Sequence, residues 1–383
     1  MQKSNRTKTY LILLLILSTS HFLNDLMQSL IPASYPLLKA KYSLDFIQIG
    51  LISLTFQVAG ASLQPIVGMI FTFSGLVSLA FAQNYQIILI SVVLIGIGSS
   101  IFHPEATRMA RYAAGNRQGL AQGIFQVGGQ AGGSLGPICA AIILVPWGLS
   151  SLSIFAILAL LAMILLVWIG SKQREISLEF SKNQEKMRNK TKLIVFSPLK
   201  ISICLSILIF LIFTKNFYSE SFRSFYTFYL IDHFGLSIQA SQLMLFIFLF
   251  SAAIGVLIGG IIGDKIGRYW IIMISVLGPL PLTIILPYAD LFWTGVLTIL
   301  INLVMASAFA SILIYAIDLL PNRIGLIGGL FYGLNFGLGG IAAGFLGVLT
   351  EKYGIENTYL ICSFMPFAGL MVWFLPRTDN KLK

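Results

Sequence analysis

The chain has 383 residues, 57% of them hydrophobic and 10% charged, with a mean hydropathy of +0.88. Soluble domains carry roughly 25% charged residues, so a water-soluble globular fold is excluded and a membrane-embedded one is expected. The formal net charge of +11 would suit nucleic acid, but the positions argue otherwise. Of the 25 Lys and Arg, Lys39, Lys41 and Lys352 fall in segments read as external and Lys215 and Arg223 within a span, while all the others gather on the side of the N-terminus. That is the positive-inside pattern of a multi-pass protein with both termini cytoplasmic, and it implies a lipid bilayer and no nucleic acid as partner. At ~20 apolar residues per span, the length accommodates about ten to twelve helices. Cys139, Cys204 and Cys362 all fall in apolar runs, with neither a disulfide framework nor metal-ligand spacing, so no metal is expected.

Lys3, Arg6 and Lys8 precede an apolar run from Tyr10 that has no A-x-A cleavage site, so it reads as an uncleaved first helix over roughly 10–32. His21, Asp25 and Gln28 share one face of it at i, i+4 and i+7, with Asn24 beside them. A carboxylate in a span is costly and normally faces a cavity or a partner. Asp25 is therefore the leading proton-coupling residue, with His21 tuning it and Asn24 and Gln28 as polar substrate contacts. A helix–helix hydrogen-bond cluster is the alternative. From Phe46 to Pro104 no Asp, Glu, Lys or Arg occurs, so those 59 residues must hold helices 2, 3 and 4 with almost no connector. His103 and Glu105 follow as candidates for a proton relay; Glu105 could equally pair with Arg108 at i+3.

The fifth helix, about 119–145, carries Gly123, Gly132, Gly136 and Pro137, followed by Ala140 and Ala141. This resembles the antiporter motif of drug-exporting facilitators, G-x8-G-x3-G-P-x2-G-G, with alanines in the last two places; close helix packing alone is the competing reading. Gln122, Gln126 and Gln130 share a face that could line a wet cavity, and Gln126 and Gln130 are expected substrate contacts. Residues 171–200 hold eight basic and three acidic residues and read as a cytoplasmic linker between an N-terminal half, 1–170, and a C-terminal half, 201–383. The seventh helix, about 201–231, contains Lys215, Glu220, Arg223 and Tyr226. Glu220 and Arg223 can neutralise each other at i+3, whereas Lys215 has no such neighbour and points to an anion in the cavity, with Tyr226 as a neutral contact.

Gly260-Ile-Ile-Gly-Asp-Lys-Ile-Gly-Arg268 lies between two apolar runs and reads as a tight polar turn. Gly260 lets backbones approach, Asp264 can meet a helix N-terminus, Gly267 permits the reversal, and Arg268 holds the turn on the cytoplasmic side. The spacing resembles the signature of the major facilitator superfamily of transporters. A repeat register supports two halves: Tyr42-Ser-Leu44 matches Phe234-Gly-Leu236 at an offset of 192, and Gly119 matches Gly325 at 206, so the first half is 14 residues short in between. The first offset places Thr72 and Leu76 at the positions of Asp264 and Arg268, so the charged turn has no copy in the first half. The chain is expected to reverse near Pro65–Gly68, leaving a short third helix at Met69–Gln83. Fusing helices 2 and 3 instead would put Arg108, Arg111, Arg117 and the linker outside, against the charge rule. A series of glycines at every fourth residue (Gly325, Gly329, Gly333, Gly337) marks the eleventh helix.

The runs His21-Phe-Leu-Asn-Asp-Leu-Met-Gln-Ser-Leu30, Gly98-Ser-Ser-Ile-Phe-His-Pro-Glu105, Gly119-Leu-Ala-Gln-Gly-Ile-Phe-Gln-Val-Gly-Gly129 and Gly259–Arg268 resemble the fosmidomycin resistance protein family, from about Ser18 to Pro376. The resemblance implies an all-α polytopic fold of twelve transmembrane helices in two pseudo-symmetric six-helix halves. It also implies a proton-driven exporter of the bacterial inner membrane that confers resistance to a phosphonate antibiotic. Such a protein needs no cofactor beyond the proton gradient and is expected to be a monomer. Two other classes stand beside it. A membrane-embedded enzyme or enzyme subunit would need a metal or nucleophile constellation, which three scattered histidines do not supply. An impaired relative would follow from the missing turn.

Overall fold

In lipid every backbone N–H and C=O must be bonded within its own segment or a closed barrel, so long uncharged runs without β-alternation form helices. The computed structural model describes the backbone of residues 2–59, 65–113, 118–168, 197–320 and 324–377, with the side chains of most of them. Those residues form twelve helical rods. The first six are α1 (Gln2–Ala33), α2 (Phe46–Ala59), α3 (Pro65–Ala80), α4 (Tyr85–Ala113), α5 (Gln118–Cys139, continued through a π turn to Trp147) and α6 (Leu149–Trp168). The second six are α7 (Pro198–Phe234), α8 (Ile238–Ile266), α9 (Arg268–Leu277, continued to Tyr288), α10 (Leu291–Ala306 with Phe309–Leu319), α11 (Ile324–Tyr353) and α12 (Ile355–Cys362 with 3-10 turns to Phe374). The expected linker lies at its 171–196 portion outside the described residues.

Helix ends report the internal repeat more sharply than the sequence does. Ser43, which ends a short helix Tyr35–Tyr42 following α1, and Gly235, which ends α7, lie at the 192 offset and share the left-handed conformation, with φ of 51° and 65°. Two residues on, Asp45 accepts from the Gln48 amide and Ser237 from the Ala240 amide, each capping the next helix. At the 206 offset, Asn84 and Asp290 cap α4 and α10 through the amides of Ile87 and Trp293, and Gly148 and Gly354 share φ values of 78° and 80° in the turns before α6 and α12. The 14-residue deficit therefore falls between Asp45 and Asn84.

That interval holds α2 and α3. The Tyr42 hydroxyl donates to the Ala82 carbonyl, and the Tyr85 hydroxyl to that of Gln48 at 3.1 Å, so the end of α3 lies beside the start of α2. The chain therefore reverses, as the charge rule required. Pro65–Gly68, expected at the reversal, are instead the first turn of α3: proline lacks the N–H that a helix start leaves unbonded, and Pro65 opens that helix. Residues 60–64 lie outside the described residues. Both helices are short, 14 and 16 residues, about 21 and 24 Å at 1.5 Å per residue, so the deficit is shared rather than confined to the third helix. Thr72 and Leu76 are buried within α3, which has no charged turn at those positions.

The halves meet where α2 packs on α11 and α5 on α8. Gly50 faces Gly344 and Gly347 so closely that backbone touches backbone, and Gly340 lies against Leu54. Of the glycine series of α11, a Cβ on Gly333 or Gly337 would meet nothing, and the surroundings of Gly325 and Gly329 lie outside the described residues. The described side-chain bonds between halves gather at the end away from the N-terminus. There Gln242 Nε2 donates to the Ala33 carbonyl at 2.8 Å, the Phe46 amide to Glu351 at 2.9 Å, and Ser53 and Ser224 hydroxyls meet at 2.9 Å.

Candidate functional site

The first half is organised on the contact between α1 and α5, and the glycines of α5 make it possible. A Cβ on Gly128 would strike the Ser18 carbonyl, one on Gly132 the Phe22 backbone, and one on Gly136 Ser29. Gly132 and Gly136 of the expected motif thus hold two helix backbones together, while Gly123 opens on free space and Pro137 sits inside the helix before the π turn. Ser18 donates to the Ile124 carbonyl at 2.8 Å and fixes the register.

This contact presents the α1 cluster. His21 is buried, its ring stacked on Phe125 at 4.1 Å, and its Nδ1 lies 2.8 Å from the Phe125 carbonyl oxygen. A carbonyl can only accept, so Nδ1 carries a hydrogen. Nε2 lies 3.2 Å from Asp25 Oδ2, while the other Asp25 oxygen accepts from Asn24 Nδ2 at 3.0 Å and Gln28 Nε2 at 3.3 Å. The His21–Asp25 contact is a hydrogen bond only if one proton lies between them, whether as imidazolium with carboxylate or as imidazole with carboxylic acid. Remove it, and a nitrogen lone pair faces a carboxylate oxygen. All four polar residues read from the helix face are thus brought together around one carboxylate, which is itself about a quarter exposed.

Gly129 belongs to this site and was not singled out by sequence reasoning. A Cβ there would meet the His21 ring and the Asp25 carboxylate. The tandem Gly128-Gly129 inside a spaced-glycine helix was the available signal. Gln126 and Gln130 lie on the same helix and are half-buried.

Lys215 is held differently from its expectation as a charge without a neighbour. Its Nζ donates to the Met305 carbonyl at 2.6 Å and to Ser275 Oγ at 3.0 Å, bonding a carbonyl in the last turn of the first α10 segment, where the helix dipole favours a cation. Tyr226 is fully buried, its ring against Phe222 and Phe248 and its hydroxyl 3.4 Å from Thr298. Glu220 is buried and accepts from Ser224 at 2.5 Å, with Arg223 acting on it through charge. In the turn, Gly267 takes φ of 91°, a conformation that favours glycine, and Arg268 opens α9. The side chains of His103, Glu105 and Asp264, and the surroundings of Gly260, lie outside the described residues. Among the described residues no three His, Cys, Asp or Glu stand together as a metal site would require.

Twelve membrane helices in two repeated halves, with polar side chains gathered inside the spans, define a membrane transporter. The model of the Major Facilitator Superfamily matches residues 17–344 and 209–383. Among solved structures, a D-xylose-proton symporter is similar with a TM-score of 0.74 and 18% identity over 97% of this chain and 99% of that one. The partially occluded, inward-open xylose transporter XylE of E. coli gives 0.72 and 16% over 97% and 98%. At those identities the likeness concerns the fold.

Sequence relatives are nearer. The fosmidomycin resistance protein of Escherichia coli K12 is 48% identical over 398 residues, 99% of this chain and 96% of that protein. The uncharacterized MFS-type transporter YfnC of Bacillus subtilis 168 is 37% identical over 393 residues, 97% and 94% of the two chains. The chain belongs to the fosmidomycin resistance family of the Major Facilitator Superfamily.

Proposed function

We propose that the chain is a proton-driven exporter of a small anionic compound, of the phosphonate class to which fosmidomycin belongs. It would work in the bacterial inner membrane, with both termini cytoplasmic and the basic linker joining halves 1–170 and 201–383. The observation that carries this reading is the 3.2 Å contact of His21 Nε2 with Asp25 Oδ2 at the packing of α1 on α5, which is attractive only with a proton between the two atoms. Losing that proton would turn an attractive contact within α1 into a repulsive one on the face that packs against Gly129 of α5, so proton release would disturb the packing of the two helices there. His103 and Glu105 would pass the proton towards the cytoplasm. Lys215 would supply the positive field for the anion from its fixed position, and Asn24, Gln28, Gln126 and Gln130 would supply neutral contacts. Tyr226 is enclosed by Phe222 and Phe248, so substrate reaches it only in a conformation that parts these rings.

Fosmidomycin accumulation in cells with and without the chain, with and without a protonophore, tests the overall reading; accumulation unchanged by the chain would sink it. Asp25→Asn tests the coupling. The variant should insert normally and lose drug-dependent proton movement in vesicles. If it transports normally with a pH gradient, the role passes to Glu105. A second reading, an impaired relative, draws on the burial of Thr72 and Leu76 where the first-half charged turn would stand; wild-type transport in the same vesicles decides it.

A further inference from the structure

Glu220 takes no part in the mechanism above, yet it is 5% exposed, lies within a membrane helix and ends a chain of hydroxyls that crosses between the halves. Ser224 Oγ lies 2.5 Å from Glu220 Oε1. Ser224 Oγ is also 2.9 Å from Ser53 Oγ on α2, and Ser53 Oγ is 2.6 Å from the hydroxyl of Tyr35, just past α1. Each hydroxyl has one hydrogen to give. With Glu220 as carboxylate, Ser224 must donate to it, Ser53 must donate to Ser224, and Tyr35 must donate to Ser53. The carboxylate thereby sets the direction of every bond in the chain and strengthens the one it ends.

We propose that Glu220 is a proton-operated latch that holds the end away from the N-terminus closed. As a carboxylate it fastens α7 to α2 through Ser224 and Ser53. A proton added to one of its oxygens leaves a neutral acid, which has lost the charge-assisted acceptor and no longer imposes one direction on the hydroxyls. The carboxylate accepts two such bonds, from Ser224 within α7 and from Gln57 of α2 across the halves. Charge-assisted bonds are roughly twice as strong as neutral ones, so protonation weakens the Gln57 bond directly and the Ser53–Ser224 bond through the chain, and this end opens more readily. The groups facing Glu220 fit such a switch: Arg223 is the charge acting on it, from its own helix, Gln57 hydrogen-bonds it from α2, and Tyr35 is the titratable group facing it from beyond α1. Two other described hydrogen bonds across this end, from Gln242 to the Ala33 carbonyl and from the Phe46 amide to Glu351, tie helix ends and do not pass through Glu220. The latch deepens the exporter reading, resting on proton-linked alternation while giving the outward end a proton site separate from Asp25.

Spin labels at Ala40 and Lys352, exposed residues on the two halves at this end, read its opening by pulsed electron resonance. The full chain is measured in lipid nanodiscs with C139A, C204A and C362A. Between about pH 8 and about pH 5 the ratio of long to short distances should rise about tenfold, as loss of a charge-assisted bond would give. Glu220→Gln should hold the acid-like ratio at every pH. Asp25→Asn should keep the pH response even where transport is lost, which separates failure of the latch from failure of the coupling site. If Glu220→Gln does not insert, Ser53→Ala decides: it should open this end in part at high pH and reduce the response, the Gln57 bond remaining. A pH response retained in Glu220→Gln or unaltered in Ser53→Ala, one abolished by Asp25→Asn, or no response in the parent overturns the proposal.

Discussion

Gly129 stands opposite the His21 ring and the Asp25 carboxylate with no room for one more carbon. Adding a methyl in a packed contact costs about 1–3 kcal/mol, and here the strain would fall on the pair that shares a proton. Gly129→Ala should therefore cut transport by about tenfold or more while the protein still inserts. Gly123→Ala, on the same helix and facing free space, should transport normally, with stability equal or slightly higher. Transport rates and melting of the purified variants check both; equal loss at the two positions would argue against the contact.

Lys215 bridges α7 to Met305 and Ser275, so replacing it has a structural as well as an electrostatic consequence. Lys215→Gln should lower stability by about 1–3 kcal/mol through the lost bonds to a buried carbonyl and hydroxyl. It should also weaken transport of anionic compounds more than of neutral ones. Competition assays with a matched acid and amide test this, and equal loss for both would leave only the structural role.

Much of this was legible in the chain. The polar face of α1 is set by helical spacing within one segment, so His21, Asn24, Asp25 and Gln28 could be grouped from the sequence alone. The partner of that face could not: only the folded contact identifies Gly129, because its neighbours lie over a hundred residues away. For the same reason the partners of Lys215 escaped notice, one of them being a backbone carbonyl with no sequence signature. The glycines of α11 show a related limit. The regular series at every fourth residue marks the helix, and the described inter-half contact is made further along it by Gly340, Gly344 and Gly347. Spacing defines a face of a helix and leaves open what covers it.

The side of the membrane is open to a direct test. A single cysteine in place of Glu185, within the basic linker, should be labelled by an impermeant thiol reagent only after cells are opened. Labelling in intact cells would invert the whole arrangement.

The shortened half offers a gain-of-function experiment. Inserting a 14-residue polar turn carrying Asp between α2 and α3 should raise thermal stability or transport rate, because it restores the charged turn that the second half retains around Gly267. Identical behaviour of the restored and parent proteins in both assays would show that the junction is a tolerated variant.

For two crossings, α2 and α3 offer 14 and 16 residues, about 45 Å of helix together where two passes of a ~30 Å core need ~60 Å. Val58 and Ile70, both more than half exposed, face outward from this corner. The missing length must then be supplied by the lipid: acyl chains beside α2 and α3 have to shorten by disorder or tilt to meet the protein. The transporter should accordingly distinguish membranes by chain length, working faster in vesicles of short-chain phospholipid than in long-chain ones, and a cell that lengthens its fatty acids would slow it without touching a residue.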